Sequence, residues 1–206
     1  MKKLFNFKLN FDRDIVVISI VSTLLLTMDR YHNFTGFKAV DRVFIYLVTP
    51  LLIILFVSRG SPREYGFRLG DWKAGLALTG LIVLIAIPVL WYMTRGDEHM
   101  LKYYSRQMTP TLPLITFLDL IGWEFFFRGW ILFGYARKFG DHALWLQAVP
   151  FALAHLGKPE VETLSTIFGG FLFGLVAWRT RSFLYPFLIH WFISTFTIFV
   201  AGGAFG

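Results

Sequence analysis

The segment ITFLDLIGWEFFFRGWILFGY, residues 115–135, carries three charged side chains inside an otherwise apolar run. They are Asp119, Glu124 and Arg128. A charged side chain is costly at membrane depth, so such groups pair with one another and face the interior of a helix bundle or a water-filled cavity. The segment therefore predicts a buried polar site within a bundle, rather than a plain lipid-facing span.

The composition is that of an integral membrane protein. Hydrophobic residues make up 56% of the chain, charged residues only 16%, and the mean hydropathy is +0.59, which is unlike a water-soluble domain. The chain has no cysteine, which excludes disulfides, thiolate metal sites, iron–sulfur clusters and a cysteine nucleophile. Its Lys and Arg lie mostly in short segments between apolar runs, so the lipid bilayer, and not nucleic acid, is the predicted partner.

Apolar stretches recur along the whole chain. They cover residues 15–28, 43–57, 74–94, 109–135, 143–156, 163–178 and 183–205. Several are shorter than the roughly 20 residues that a transmembrane helix needs, so their ends must extend into flanking segments. No small-residue cleavage site follows the first stretch, which is therefore a retained span and not a signal peptide. The sequence predicts an all-α, polytopic transmembrane helix bundle of about seven spans, six to eight, in a single domain over residues 1–206.

Basic residues between the apolar stretches predict the orientation, because cytoplasmic loops retain Lys and Arg. The richer set of alternate loops contains Lys2, Lys3, Lys8, Arg13, Arg59, Arg63, Arg68, Lys73, Arg137, Lys138, Arg179 and Arg181. The poorer set contains Arg30, Lys38, Arg42, Arg95, Lys102, Arg106 and Lys158. The N-terminus is therefore predicted to be cytoplasmic.

Ionisable groups at membrane depth come from three apolar segments. Glu124 and Arg128 are four residues apart, which places them on one helical face and predicts an ion pair. Such a pair can also serve only to hold helices together. His155 and His190 lie in two other segments, where each alone could simply hydrogen-bond a neighbouring helix. Together the four side chains supply the groups needed for proton transfer with water, or for metal ligation.

One of these stretches resembles a family motif. WEFFFRG, residues 123–129, is similar to the E-E-x-x-x-R motif of the CPBP intramembrane proteases. That family includes the type II CAAX prenyl proteases and bacterial bacteriocin-processing and immunity proteins. Glu124 matches the second Glu and Arg128 the Arg. Trp123 stands where the family has its first Glu, usually assigned to activating the attacking water, and an indole cannot accept that proton.

Two later motifs support the resemblance. Phe151 and His155 match the family's F-x-x-x-H. His190 and Ser194 approach its H-x-x-x-N, with a serine in place of the Asn that is thought to stabilise the oxyanion. The resemblance implies a bacterial cytoplasmic membrane and a catalytic core within residues 108–206. The catalytic residues that it implies are Glu124, Arg128, His155, His190 and Ser194.

Because Trp123 cannot act as a base, other carboxylates near the motifs become candidates for that role. Asp119 lies one turn before Trp123 on the same helical face. Glu160 and Glu162 follow Pro159, which should end the preceding helix and place both acids near a membrane interface. Both acids also suit the first turn of the next helix, where they interact favourably with its dipole.

The leading hypothesis is an intramembrane endopeptidase, a hydrolase that cleaves a membrane-associated peptide or protein with an activated water. In one version Glu124 and His155 activate the water, and His190 binds the substrate or the oxyanion. Arg128 then keeps Glu124 ionised. In a metalloprotease version Glu124, His155 and His190 hold a divalent metal such as Zn²⁺, with water in the fourth position. The sequence does not choose between the versions, and it predicts neither the substrate nor the oligomeric state.

Two other functions stay open. Trp123 and Ser194 are also compatible with a family member that has lost catalysis and acts by binding, as an immunity or regulatory protein. Buried Asp, Glu and His also mark ion pathways, so a small transporter is a further alternative, although the internal repeats common in transporters are not seen. Apart from the polar groups, Gly170 and Gly174 form a G-x-x-x-G pair that predicts close helix packing.

Overall fold

The computed structural model describes residues 9–205, and those residues form helices joined by short turns, with no strand among them. The helices are α1 (Arg13–Tyr31), α2 (Lys38–Val57), α3 (Trp72–Gly96), α4 (Glu98–Ser105), α5 (Leu112–Glu124, continued by Phe125–Ile131 and Leu132–Phe139), α6 (Ala143–Leu153), α7 (Glu160–Thr180) and α8 (Leu184–Ala201). The predicted all-α class is confirmed. Seven of the eight helices correspond to the seven predicted apolar stretches, and the eighth is the short α4. Lys2, Lys3 and Lys8 of the predicted cytoplasmic set lie outside the described residues.

Four of these helices, within residues 9–205, are long and apolar enough to cross a bilayer: α2, α3, α7 and α8. The α1 and α5 helices carry several charged residues, and α6 has only 11 residues, which is short for a full crossing. Most of α3 is exposed on the outside of the bundle, as a lipid-facing helix would be. The helices are those of an integral membrane protein.

The α5 helix forms the centre of the bundle and packs against α2, α6, α7 and α8. Its middle, Phe125–Ile131, is fully buried and wound as a π-helix, a wide turn that often occurs at functional sites. Gly122 allows α5 to lie directly on α2, because a Cβ at this position would be 2.5 Å from the carbonyl oxygen of Arg42.

Two glycines on α7 bring this helix close to α6. A Cβ on Gly170 would lie 2.9 Å from the ring of Phe151, and one on Gly174 would lie 2.7 Å from Nε2 of Gln147. Gly169 differs, since a Cβ there would meet nothing within 4 Å. The packing role predicted for the G-x-x-x-G pair is therefore confirmed.

The chain turns sharply between α6 and α7, as Pro159 predicts. The α6 helix ends at Leu153, and Pro159 takes the N-cap position of α7 with extended backbone angles. Glu160 and Glu162 lie in the first turn of α7, where their charges suit the helix dipole. The turn leaves His155 beside the bundle core.

The short α4 helix is not predicted by the apolar pattern. Asp97 caps it by accepting hydrogen bonds from two backbone N–H groups of its first turn. Its buried residues Met100 and Tyr104 pack with Leu112 and Ile198 in a small cluster that is separate from the main core. This cluster holds α4 against the end of α8.

Candidate active site

Glu124 and His190 meet in the bundle core, where α8 packs against α5. Oε1 of Glu124 lies 2.6 Å from Nδ1 of His190. Glu124 is completely buried, and His190 is 8% exposed. When a neutral imidazole donates its Nδ1–H to a carboxylate, its Nε2 keeps a free lone pair. The contact therefore presents His190 as a proton acceptor at Nε2.

Arg128 stands on the other side of Glu124 and confirms the ion pair predicted from the i, i+4 spacing. Its Nε lies 3.3 Å from Oε2 of Glu124, and both side chains are fully buried. The guanidinium carbon lies 3.9 Å from the ring centroid of Phe151, a distance at which a cation–π interaction compensates part of the lost hydration. No nitrogen of the guanidinium has a hydrogen-bond partner among the described residues, so the charge of Arg128 is balanced by Glu124 and by aromatic faces.

His155 is held by a hydrogen bond to Phe151, the other residue of the F-x-x-x-H motif. Its Nδ1 lies 2.8 Å from the carbonyl oxygen of Phe151, one turn earlier. A carbonyl oxygen only accepts, so Nδ1 carries the proton and Nε2 has the lone pair. The centroids of the His155 and His190 rings are 6.4 Å apart. The two histidines predicted to act together are thus neighbours, and each presents the lone pair of Nε2 when its ring is neutral.

Two cavities meet at these histidines. One, of about 440 Å³, lies between α3, α7 and α8 and is lined mostly by apolar side chains. The other, of about 340 Å³, lies between α4, α5 and the end of α6 and is more polar. The residues that line both cavities are Tyr104, His155, Lys158, His190 and Ser194. The two histidines therefore border a mostly apolar cavity and a more polar one.

Glu124 and Arg128 line neither cavity. The carboxylate of Glu124 reaches the cavities only through the imidazole of His190. A water molecule in the junction would contact His190 first, with Glu124 behind it. This arrangement of carboxylate, imidazole and reactant resembles the order found in catalytic triads.

Arg42 lies within α2 and not in a loop, which corrects the prediction from the sequence. The helix begins at Lys38, five residues before the predicted apolar stretch, so Arg42 is carried into the bundle. Nη1 of Arg42 lies 2.8 Å from both carboxylate oxygens of Asp119, and its Nε lies 3.3 Å from Asp29. The two acids neutralise it. Asp119 lines the polar cavity, but its charge is committed to Arg42.

The two acids of α7 differ in position. Glu162 lines the apolar cavity and accepts hydrogen bonds from the hydroxyl of Tyr104 and from Nζ of Lys158, the latter at 2.8 Å. Burial, followed by the negative charge of Glu162, raises the pKa of Tyr104, so this phenol stays protonated as a donor. Glu160 is exposed and lines neither cavity. Of the two candidate bases, only Glu162 lies at the site.

Trp123 fills the place of the missing first Glu. It is 6% exposed, and its ring lies edge-on to His155 with centroids 5.9 Å apart. The guanidinium carbon of Arg42 lies 4.9 Å from the ring centroid. Its Nε1 has no hydrogen-bond partner among residues 9–205. Trp123 thus forms an apolar barrier between His155 and the ion pair of Arg42 with Asp119.

Ser194 is half-buried, with its side chain at the junction of the two cavities.

The ligand set predicted for a metal is not assembled. In the described part of the chain, no three His, Asp or Glu side chains lie close enough together to hold a metal ion. Glu124 contacts Nδ1 of His190, whereas a third ligand would have to face the free Nε2 atoms of the two histidines. Glu124, His155 and His190 therefore do not fit a shared metal ion in this arrangement.

Sequence reasoning missed Lys158 and Tyr104 as members of the site. Lys158 was counted only as a loop charge, although it lies three residues after His155 and four before Glu162, the spacing of a helical ion pair. Tyr104 has no local signal, because it reaches Glu162 from α4, 58 residues away in the sequence.

Comparison with known proteins supports the resemblance seen in the motifs. Residues 105–196 match the family described as type II CAAX prenyl endopeptidase Rce1-like. The matched region contains the five predicted catalytic residues and ends two residues after Ser194. No curated protein and no solved structure matches the chain.

Proposed function

We propose, from the premise that residues 105–196 are similar to the type II CAAX prenyl endopeptidases, that the protein is an intramembrane endopeptidase. Its substrate is a membrane-associated peptide or protein, and its nucleophile is a water molecule. The observation that carries the proposal is the pair of imidazoles at the junction of two cavities, each with Nδ1 occupied and Nε2 free.

His190 is the general base in this proposal. Glu124 accepts the Nδ1–H of His190 and stabilises the imidazolium that forms when Nε2 takes a proton from water. The water oxygen bonds to the carbonyl carbon of the scissile peptide, and the electron pair of the carbonyl moves to its oxygen. His190 then gives the proton to the leaving nitrogen as the C–N bond breaks. His190 thus takes the role of base that the sequence suggested for Glu124, and Glu124 orients His190 instead of contacting the water.

The other site residues support this step. Nε2 of His155 accepts a hydrogen bond from the attacking water and orients it toward the carbonyl carbon. Arg128 forms an ion pair with Glu124 in a fully buried position and balances its negative charge. Ser194 contributes one hydroxyl donor at the junction. Asp119 and Glu162, proposed from the sequence as substitute bases, are each held in ion pairs and are not assigned proton transfer.

The two cavities divide the access routes. A hydrophobic segment of the substrate enters the apolar cavity between α3 and α7 from the bilayer, and water enters through the polar cavity lined by Thr116 and Asp119. We propose a cytoplasmic N-terminus, which the excess of Lys and Arg in one set of alternate loops supports. A bacterial cytoplasmic membrane is the proposed location, by resemblance to the family.

The proposal is tested by mapping protein N-termini by mass spectrometry in cells that lack the protein. Such cells are complemented with wild type, Glu124→Gln, His190→Gln or the control Lys102→Gln, an exposed position outside both cavities, at matched membrane levels. New N-termini that appear only with wild type and Lys102→Gln establish proteolysis and identify a substrate. Identical N-termini in all samples, while the mutants restore the cellular phenotype, would replace the protease by a non-catalytic membrane binder.

A further inference from the structure

The site described so far is short of hydrogen-bond donors. Hydrolysis of a peptide bond puts negative charge on the carbonyl oxygen, and enzymes place donors against that oxygen. Both histidines present a lone pair at Nε2. The Nδ1–H of His155 donates a hydrogen bond to the carbonyl oxygen of Phe151, and the Nδ1–H of His190 donates one to the carboxylate of Glu124. Ser194 supplies a single hydroxyl. The reaction therefore needs a further donor at the junction.

Three cationic side chains lie near the histidines, and each has at least one acidic partner. Arg128 is fully buried and lines neither cavity. Arg42 lines the polar cavity but is held by Asp29 and Asp119. The third cation is Lys158, which lines both cavities together with His155 and His190. Of the three cations, Lys158 is the one that lines the apolar cavity as well as the polar one.

The backbone and two side chains fix Lys158 in place. Its N–H donates to the carbonyl oxygen of His155 at 3.1 Å, which ties the lysine to the histidine's own turn. Its Nζ donates to Oε1 of Glu162 at 2.8 Å, and the second oxygen of Glu162 accepts from the hydroxyl of Tyr104. An ammonium group has three N–H donors, so Lys158 keeps donors free for another acceptor. The side chain of Lys158 is only 31% exposed, and its charge is therefore weakly screened by solvent.

We propose, as an extension of the proposed peptidase function, that Lys158 is a catalytic residue that donates a hydrogen bond to the oxyanion of the scissile peptide. Glu162 and Tyr104 are its positioning residues. As water bonds to the carbonyl carbon, the carbonyl electron pair moves to oxygen beside the Nζ of Lys158, and the water proton moves to His190. The electron pair returns when the C–N bond breaks, and the leaving nitrogen takes the proton from His190.

The test uses purified full-length protein in proteoliposomes and a fluorogenic peptide that spans the mapped cleavage site. We expect Lys158→Gln to lower kcat by about 10²- to 10³-fold, the effect of removing one oxyanion donor, with KM changed by no more than about threefold. Lys158→Arg keeps the charge and the partner Glu162, and its kcat should lie between those of wild type and Lys158→Gln. Lys102→Gln, an exposed lysine of α4 outside both cavities, is the matched control and should cleave like wild type.

A second measurement separates catalysis from folding. A phosphinate analogue of the same peptide mimics the tetrahedral intermediate. Its affinity for Lys158→Gln should therefore fall by about the same factor as kcat. The amine product, which carries the new N-terminus and no carboxylate at the cleaved bond, lacks this negative charge and should bind both proteins equally. If wild type cleaves and Lys158→Gln keeps its kcat and its phosphinate affinity, the role of Lys158 is wrong while the peptidase stands. A wild type that cleaves no peptide overturns both proposals.

Discussion

Nδ1 of His190 lies 2.6 Å from Oε1 of Glu124, although 66 residues separate them in the sequence. The carboxylate is completely buried and lines no cavity at the site. It can therefore act on a reacting water only by orienting His190 and stabilising its positive charge.

Glu124→Gln should abolish most of the activity without removing the histidine. A neutral amide neither stabilises the imidazolium nor fixes the tautomer of His190, and the corresponding change in a Ser-His-Asp triad lowers kcat by about 10⁴-fold. We expect a fall of about 10³- to 10⁴-fold in kcat on the mapped peptide. A variant that keeps more than a tenth of wild-type kcat would contradict the orienting role.

Glu124 should also matter for stability, because its removal leaves Arg128 as an unpaired buried charge. Breaking one partner of a buried ion pair costs about 3–5 kcal/mol, whereas replacing both by apolar groups is close to neutral. The double variant Glu124→Gln/Arg128→Met should therefore recover most of the stability lost in Glu124→Gln, and none of its activity. The unfolding free energy in mixed micelles and the kcat are to be measured for both variants and for wild type. Activity that returned with stability would show that Glu124 serves folding alone.

The α6–α7 contact offers a matched pair of glycines. Gly170→Ala places a methyl group 2.9 Å from the Phe151 ring, and such overpacking costs about 1–3 kcal/mol. It should also lower activity, because Phe151 positions both His155 and Arg128. Gly169→Ala meets nothing within 4 Å and should gain up to about 1 kcal/mol from helix propensity. Thermal unfolding of the two variants in detergent checks the difference, and equal stabilities would argue against this close contact.

Much of the fold could be predicted from the sequence, because hydropathy and helix punctuation act locally. The apolar stretches located seven helices, Pro159 located the break before α7, and the spacing of Gly170 and Gly174 predicted a close contact. Arg42 was misplaced because its two acidic partners come from other helices, so no local pattern showed that α2 begins five residues earlier. The α4 helix was missed because it is short and polar. It is held by the small cluster that Met100 and Tyr104 form with Leu112 and Ile198.

The site was predicted less completely. Residue types at membrane depth, together with the motif spacing, identified Glu124, Arg128, His155 and His190, and the structure brings these four together. What they face depends on three-dimensional packing. The position of Glu124 behind His190, and the approach of Tyr104 to Glu162, are set by contacts between helices remote in sequence.

Trp123 should prove to be a packing residue at the site. Its Nε1 has no hydrogen-bond partner in the described region, so Trp123→Phe should keep kcat within about threefold, with a small loss from the weaker interaction with Arg42. Trp123→Ala should cost about 3–5 kcal/mol through the cavity that it leaves. Unfolding free energies and kcat of both variants provide the check. A strong loss of activity in a stably folded Trp123→Phe would assign the indole N–H a direct role.

The central claim is that a histidine backed by Glu124, and not a cavity carboxylate, takes the proton from the attacking water. The most direct measurement is the single-turnover cleavage rate of the mapped peptide in proteoliposomes by wild type, His190→Gln and Asp119→Asn. We predict that His190→Gln falls by at least about 10³-fold, as expected for loss of a general base within a coupled pair. Asp119→Asn should stay within about tenfold of wild type, because its charge serves Arg42. The reverse order, with His190→Gln active and Asp119→Asn inactive, would contradict the claim.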